Sequence, residues 1–175
     1  MKNIYFINKP KIIHDMEHHN TALHEIELAN LARIRIMLVI LFFIEIMFIV
    51  FNDIPYYFNL GTEVIWKDYR YFVLHLLILA ASVIGFVIAG KLINSDEGKW
   101  KRVYSYFTPI TLIIYLTLTS LLSGLDQSHI SNISSIFIAN LLICGGVFMI
   151  KFPKNLFTYI IPCFSYIGTF IYFGF

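Results

Sequence analysis

Few residues in this chain could do chemistry, and most of those lie inside long apolar stretches. Glu45 stands within one such stretch and His75 within the next. An ionisable group at the centre of a membrane helix costs about 2.5–3.5 kcal/mol on insertion scales. Glu45 must therefore face the interior of a bundle, be neutral or find a partner. At a 1.5 Å rise per residue, Glu45, His75, Thr117 and Asn140 all fall roughly 7–11 Å inward from the outer ends of their stretches. Tyr166 and Thr169 share that layer. One reading is a small intramembrane pocket with Glu45 and His75 as a proton-sensitive pair. The simpler reading is hydrogen-bonding glue between helices, which is common in membrane bundles.

A second cluster, "HDMEHHNTALHE", precedes the first apolar stretch. His14 and His18 are four residues apart, as are Asp15 and His19, so either pair could share a helical face. Imidazole and carboxylate at that spacing can hold zinc. The order is not that of a zincin, in which Glu directly follows the first His, and a solvated juxtamembrane helix accounts for the patch. No metal and no cofactor are expected; His14, His18 and His19 are the residues that would hold a metal.

The elements that position these groups are legible from composition. Of 175 residues, 58% are hydrophobic and 14% charged, with mean hydropathy +0.74, which is outside the range of a soluble domain. About 20 apolar residues span a hydrocarbon core. Five stretches are read as spans, over 34–51, 71–93, 106–124, 133–150 and 156–175. The expected fold is an all-α polytopic bundle: a cytoplasmic leader, 1–33, with an amphipathic juxtamembrane helix, then a membrane domain, 34–175. No cleavable signal peptide is visible, and Cys144 and Cys163 both fall within spans. Ala81, Gly85 and Ala89, and Gly145 with Gly146, would let helices approach closely.

Charge sets the expected orientation. Eleven Lys and Arg lie in the leader and in the second and fourth loops, against only Lys67 and Arg70 in the first and none in the third. The positive-inside rule puts the N-terminus in the cytoplasm. Trp66, Tyr69 and Tyr71 outside, and Trp100, Tyr104 and Tyr106 inside, fit aromatic belts. Five spans would leave the closing "SYIGTFIYFGF" at the outer face with no polar anchor, and a truncated chain is the expectation.

Three stretches carry a resemblance. They are "ELANLARIRIMLVILFFIEIM" entering span one, "YRYFVLHLLIL" opening span two, and "SLLSGLDQSHISNISSIFIANLLICGGVFMIKFPKNLFTYIIP" over spans three to five. With Asp126-Gln127 after span three and Pro153 beyond span four, the chain resembles the N-terminal membrane region of diguanylate cyclases from Gram-positive bacteria. The resemblance implies a sensing and anchoring half, with six spans followed by a GGDEF catalytic domain. This chain has neither a sixth span nor a "GGDEF" string, so no catalytic residue carries over and it is not expected to be an enzyme.

The expected function is thus a membrane-embedded sensory or anchoring module of a bacterial signalling protein of the cyclic di-GMP type, in the cell membrane. Its partners would be the lipid bilayer, a small or lipidic signal and a second copy paired through the spans, but not nucleic acid. The alternative is a small multi-pass transporter or channel, favoured by Glu45 and His75 but lacking paired broken helices or an inverted repeat.

Overall fold

The computed structural model describes the backbone of residues 9–58, 69–94, 97–129 and 134–173, and side chains over 22–58, 69–94, 103–125 and 137–172. All regular elements among the described residues are helices: α1 (Lys9–Phe48), a π-helical turn (Ile49–Asp53), α2 (Ile54–Tyr57), α3 (Tyr69–Ile93), α4 (Glu97–His129), α5 (Ser134–Val147) and α6 (Lys154–Phe173). Three apolar helical segments, Ala22–Tyr57, Tyr69–Ile93 and Val103–Leu125, are long enough to cross a membrane; Phe137–Val147 is a shorter one. Ile36, Phe43, Met47, Ile84, Leu142 and Ile171 are each more than half exposed. Helix faces so apolar are those of a membrane bundle, for which lipid takes the place of water.

From Lys9 on, the leader is helical. It runs on into the first apolar stretch, making α1 a single helix of 40 residues, about 60 Å long at the standard rise. Its buried face steps through Leu31, Ile34, Leu38, Leu41 and Glu45, alternating three and four residues. Helix α3 keeps the same alternation through Tyr71, His75, Ile78, Ser82, Gly85, Ala89 and Leu92. Such a seam lets two helices pack side by side as in a coiled coil. Gly85 leaves room for Leu38 at this seam: a Cβ there would meet Leu38 Cδ1 at 2.9 Å. Leu38 also joins Ile34, Leu41, Leu112, Leu116, Cys144 and Phe148 in the main apolar core.

Helix α4 is central, packing on α1, α3, α5 and α6. Gly124 permits its contact with α6, since a Cβ there would lie 2.5 Å from Thr169 Oγ1. Gly145 and Gly146, expected to serve the same purpose, do not: Gly146 has nothing within 4 Å of an added Cβ, and Gly145 only the Tyr159 hydroxyl end at 3.9 Å.

Several sequence expectations are corrected. Span four was expected over 133–150, but its helix stops at Val147 after 14 residues. Asn30 and Arg33 of α1 catch the unwound chain: Asn30 Nδ2 donates to the Met149 carbonyl at 2.8 Å, Met149 N–H donates back to Asn30 Oδ1 at 3.2 Å, and Arg33 Nη1 donates to the Val147 carbonyl at 3.0 Å. Carbonyls orphaned at a helix end need such partners, and a cation there also suits the helix dipole. Tyr71 and Tyr104, read as belt aromatics, are core residues, 1% and 2% exposed. The Tyr104 hydroxyl donates to the Leu92 carbonyl at 2.5 Å, closing the end of α3. Asp126 and Gln127 lie inside α4, which runs on to His129.

Candidate functional site

The site begins where α1 changes its winding. At Ile49–Asp53 the backbone switches to i→i+5 hydrogen bonds, and the Ile54 N–H reaches the Ile49 carbonyl. Pro55 supplies a cause. It has no N–H, and its ring would press on the Phe51 carbonyl in a regular α-helix. A wider turn just before it relieves that clash. The turn also has a steric consequence. Eight residues of α-helix would carry Asp53 about 80° past Glu45 around the axis. A turn that winds less per residue keeps Asp53 near Glu45's face. Asn52 and Asp53 are accordingly buried, 5% and 3% exposed.

Asp53 meets His75 of α3. His75 Nδ1 donates to Asp53 Oδ2 across 2.6 Å, and both side chains are almost wholly buried. Asn52 Nδ2 donates to the other carboxylate oxygen at 3.1 Å. The Phe48 ring lies nearly parallel to the imidazole, 17° off at 5.3 Å, and Tyr71, one turn earlier on α3, adds a second ring at 6.2 Å. A charge-assisted bond with both acceptor oxygens used and aromatic walls around the ring is a clamp between the C-terminal end of α1 and α3.

The expected partnership of Glu45 with His75 is therefore corrected: the carboxylate on His75 Nδ1 is Asp53. The sequence reading ended span one at Phe51 and placed Asp53 in the first loop, because hydropathy falls at Asn52. Spacing alone could not have found it, because two four-residue steps from Glu45 through Ile49 turn Asp53 off that face in a regular helix. Glu45 is buried, 4% exposed, and its Oε2 has no hydrogen-bond partner among the described residues. It lies close enough to His75 and Asp53 for charges on these groups to interact.

The rest of the expected polar layer divides into smaller contacts. The Tyr115 hydroxyl donates to Asn140 Oδ1 at 3.3 Å, linking α4 to α5. Ser120 Oγ and Ser165 Oγ, 3.1 Å apart, link α4 to α6. Tyr166 stacks on Phe137 at 4.6 Å, while its hydroxyl and that of Thr117 are buried without partners among the described residues. Thr169 donates to its own helix, at the Tyr166 carbonyl. These are interhelical and intrahelical contacts on separate helix pairs. His14, His18 and His19 fall within α1, but their side chains lie outside the described residues. Among the described residues no three His, Cys, Asp or Glu side chains gather as a metal site would need.

No protein-family model, curated protein or solved structure matches this chain. The clamp must be interpreted from its own geometry.

Proposed function

We propose that the protein is a membrane-embedded sensory and anchoring module of a bacterial signalling protein, with five spans and a cytoplasmic N-terminus. The observation that carries this reading is the continuity of α1. One helix connects the buried Asp53–His75 clamp at one end to the polar leader at the other. A change in how the clamp holds α1 against α3 would thus shift the leader as a rigid body. The resemblance to the membrane regions of diguanylate cyclases supports the cyclic di-GMP type of signalling. The charge bias supports the orientation. The contacts of Asn30 and Arg33 support counting α5 as a span despite its length, because they take up the carbonyls of the chain leaving it and tie that chain to α1.

Sensing requires two arrangements with different affinity for the signal. Spin labels at Ile44→Cys on α1 and Leu77→Cys on α3, both exposed positions, would report them after replacement of Cys144 and Cys163. In nanodiscs the distance distribution should contain two populations whose ratio changes with Asp53→Asn or with bilayer composition. A single distance, unmoved by either, would refute sensing. Ion or proton flux through proteoliposomes above that of empty vesicles would favour the transporter instead.

A further inference from the structure

Away from the clamp, the leader half of α1, the start of α4 and the turn into α6 enclose a cavity of about 630 Å³. Its lining is of two kinds. Leu23, Ile26, Pro109 and Ile150 are apolar, whereas Lys151 and Lys154 bring two cations to the same space. Lys154 is partly committed: its Nζ donates to the Ser105 carbonyl at 2.9 Å and to the Ser105 hydroxyl oxygen, and sits 3.9 Å from the centre of the Tyr106 ring. An ammonium has three donors, so one N–H is left over. Lys151 is exposed. Glu27 also lines the cavity, yet neither lysine makes an ion pair among the described residues. Thr108, in the cavity wall and 3% exposed, keeps its Oγ1 without a hydrogen-bond partner among the described residues.

Two lysines against one carboxylate leave this cavity a single positive charge. The residues around it, Asn30, Tyr104 and Ile150, stand where the apolar stretches begin or end, at the level of lipid headgroups and on the face with the Lys and Arg excess. Basic pockets between helices at such a face suit anionic headgroups. We propose that this cavity binds an anionic phospholipid, with its phosphate on Lys151 and the remaining N–H of Lys154 and its glycerol and upper acyl chain along Leu23, Ile26, Pro109 and Ile150. The single charge of a phosphodiester balances that of the cavity. The bound lipid would tie α1 to α4 and to the α5–α6 turn, beside the contacts of Asn30 and Arg33. This inference rests on membrane insertion and on the charged face, not on the sensory reading, so the two fail separately.

Native mass spectrometry of the full chain, titrated with phosphatidylglycerol and with phosphatidylcholine of the same acyl chains, tests it. Phosphatidylglycerol should be retained preferentially, and Lys151→Gln should weaken its binding about five-fold, the contribution of one lysine near a membrane surface. Phosphatidylcholine binding should not change. The Lys151 side chain is exposed and makes no hydrogen bond or ion pair among the described residues, and Thr108→Val provides a second variant that keeps shape while removing the buried hydroxyl; it too should lower phosphatidylglycerol retention. Equal retention of the two lipids, or a preference that survives both substitutions, overturns the proposal. Displacement of the lipid by inorganic phosphate or glycerol phosphate at similar concentration would assign the cavity to a soluble phosphate and overturn it as well.

Discussion

If Asp53 and His75 clamp α1 to α3, removing either alone should cost more than removing both. A charge-assisted hydrogen bond contributes about 1.5–3 kcal/mol in soluble proteins. Polar contacts between membrane helices average about 0.6 kcal/mol and reach about 1.7. The Asp53–His75 bond is short, buried and backed by Asn52 and Phe48, so it belongs at the upper end. A coupling of about 1.5 kcal/mol is expected, roughly tenfold in the unfolding equilibrium. Asp53→Leu takes the carboxylate away from the imidazole and from the Asn52 amide, at about 1–3 kcal/mol for each buried group that loses an acceptor. His75→Leu strands the carboxylate. The double variant replaces the pair with apolar volume and should be closer to the parent than the sum of the singles.

Equilibrium unfolding in mixed micelles, run on the four proteins of this cycle, gives the coupling directly. Independent sites add to within about 0.5 kcal/mol. A coupling below that would refute the clamp. A parallel cycle on Glu45 and His75 serves as the control, because Glu45 makes no hydrogen bond to His75. Coupling there larger than that of Asp53 and His75 would show that the wrong carboxylate has been assigned to the imidazole.

Three further outcomes are expected. Glu45→Met keeps the length of the side chain and removes a buried carboxylate oxygen that has no partner, so it should stabilise the bundle by about 1 kcal/mol or more in the same unfolding assay, whereas Glu45→Gln should change it little. Gly124→Ala puts a methyl 2.5 Å from Thr169 Oγ1 and should cost about 1–3 kcal/mol through overpacking, while Gly146→Ala, with open space around it, should gain up to about 1 kcal/mol of helix propensity; thermal unfolding of the two variants should therefore move in opposite directions. Single cysteines placed at Lys99 and Asp126 in a chain without Cys144 and Cys163 should be labelled from the cytoplasmic and the outer side respectively, and labelling of Asp126 from the cytoplasm would overturn the orientation.

How much of this was legible in the sequence depends on which physical signal each feature leaves. Helix existence leaves a strong one, because a run of apolar residues such as Tyr71 to Ile93 has no other stable form at membrane depth. Facing was also present, though less plainly. The alternation of three and four residues from Tyr71 to Leu92 puts His75 on the α3 seam, and the same spacing from Leu31 carries Glu45 onto the α1 seam. Hydropathy alone ignores that spacing. It therefore assigned Tyr71 and Tyr104 to the membrane surface, where an aromatic at the end of a span is equally at home. It also gave span four its full length, because Phe148 and Ile150 are as apolar inside a helix as outside one. What apolarity could not show is that Asn30 and Arg33 take up the chain where α5 ends.

Asp53 was hidden for a different reason. A carboxylate next to a proline, just past the last apolar residue, has every local mark of a loop. What reverses that reading is the π-turn, a backbone change that costs regular hydrogen bonding and leaves no compositional trace. The turn relieves the Pro55 clash and brings Asp53 to the seam in one step, so a steric problem and a polar site have a common solution. π-turns inside helices are frequent at functional sites, and here the turn decides which carboxylate reaches His75. Glu45, the residue most conspicuous in the sequence, is left buried about two turns before Asp53, its Oε2 without a hydrogen-bond partner among the described residues. If α1 rewound into a regular helix, Asp53 would rotate off the seam and the imidazole would lose the carboxylate that holds it. The clamp thus depends on winding as much as on side-chain chemistry, and α1 is the element through which a change in winding would reach the leader.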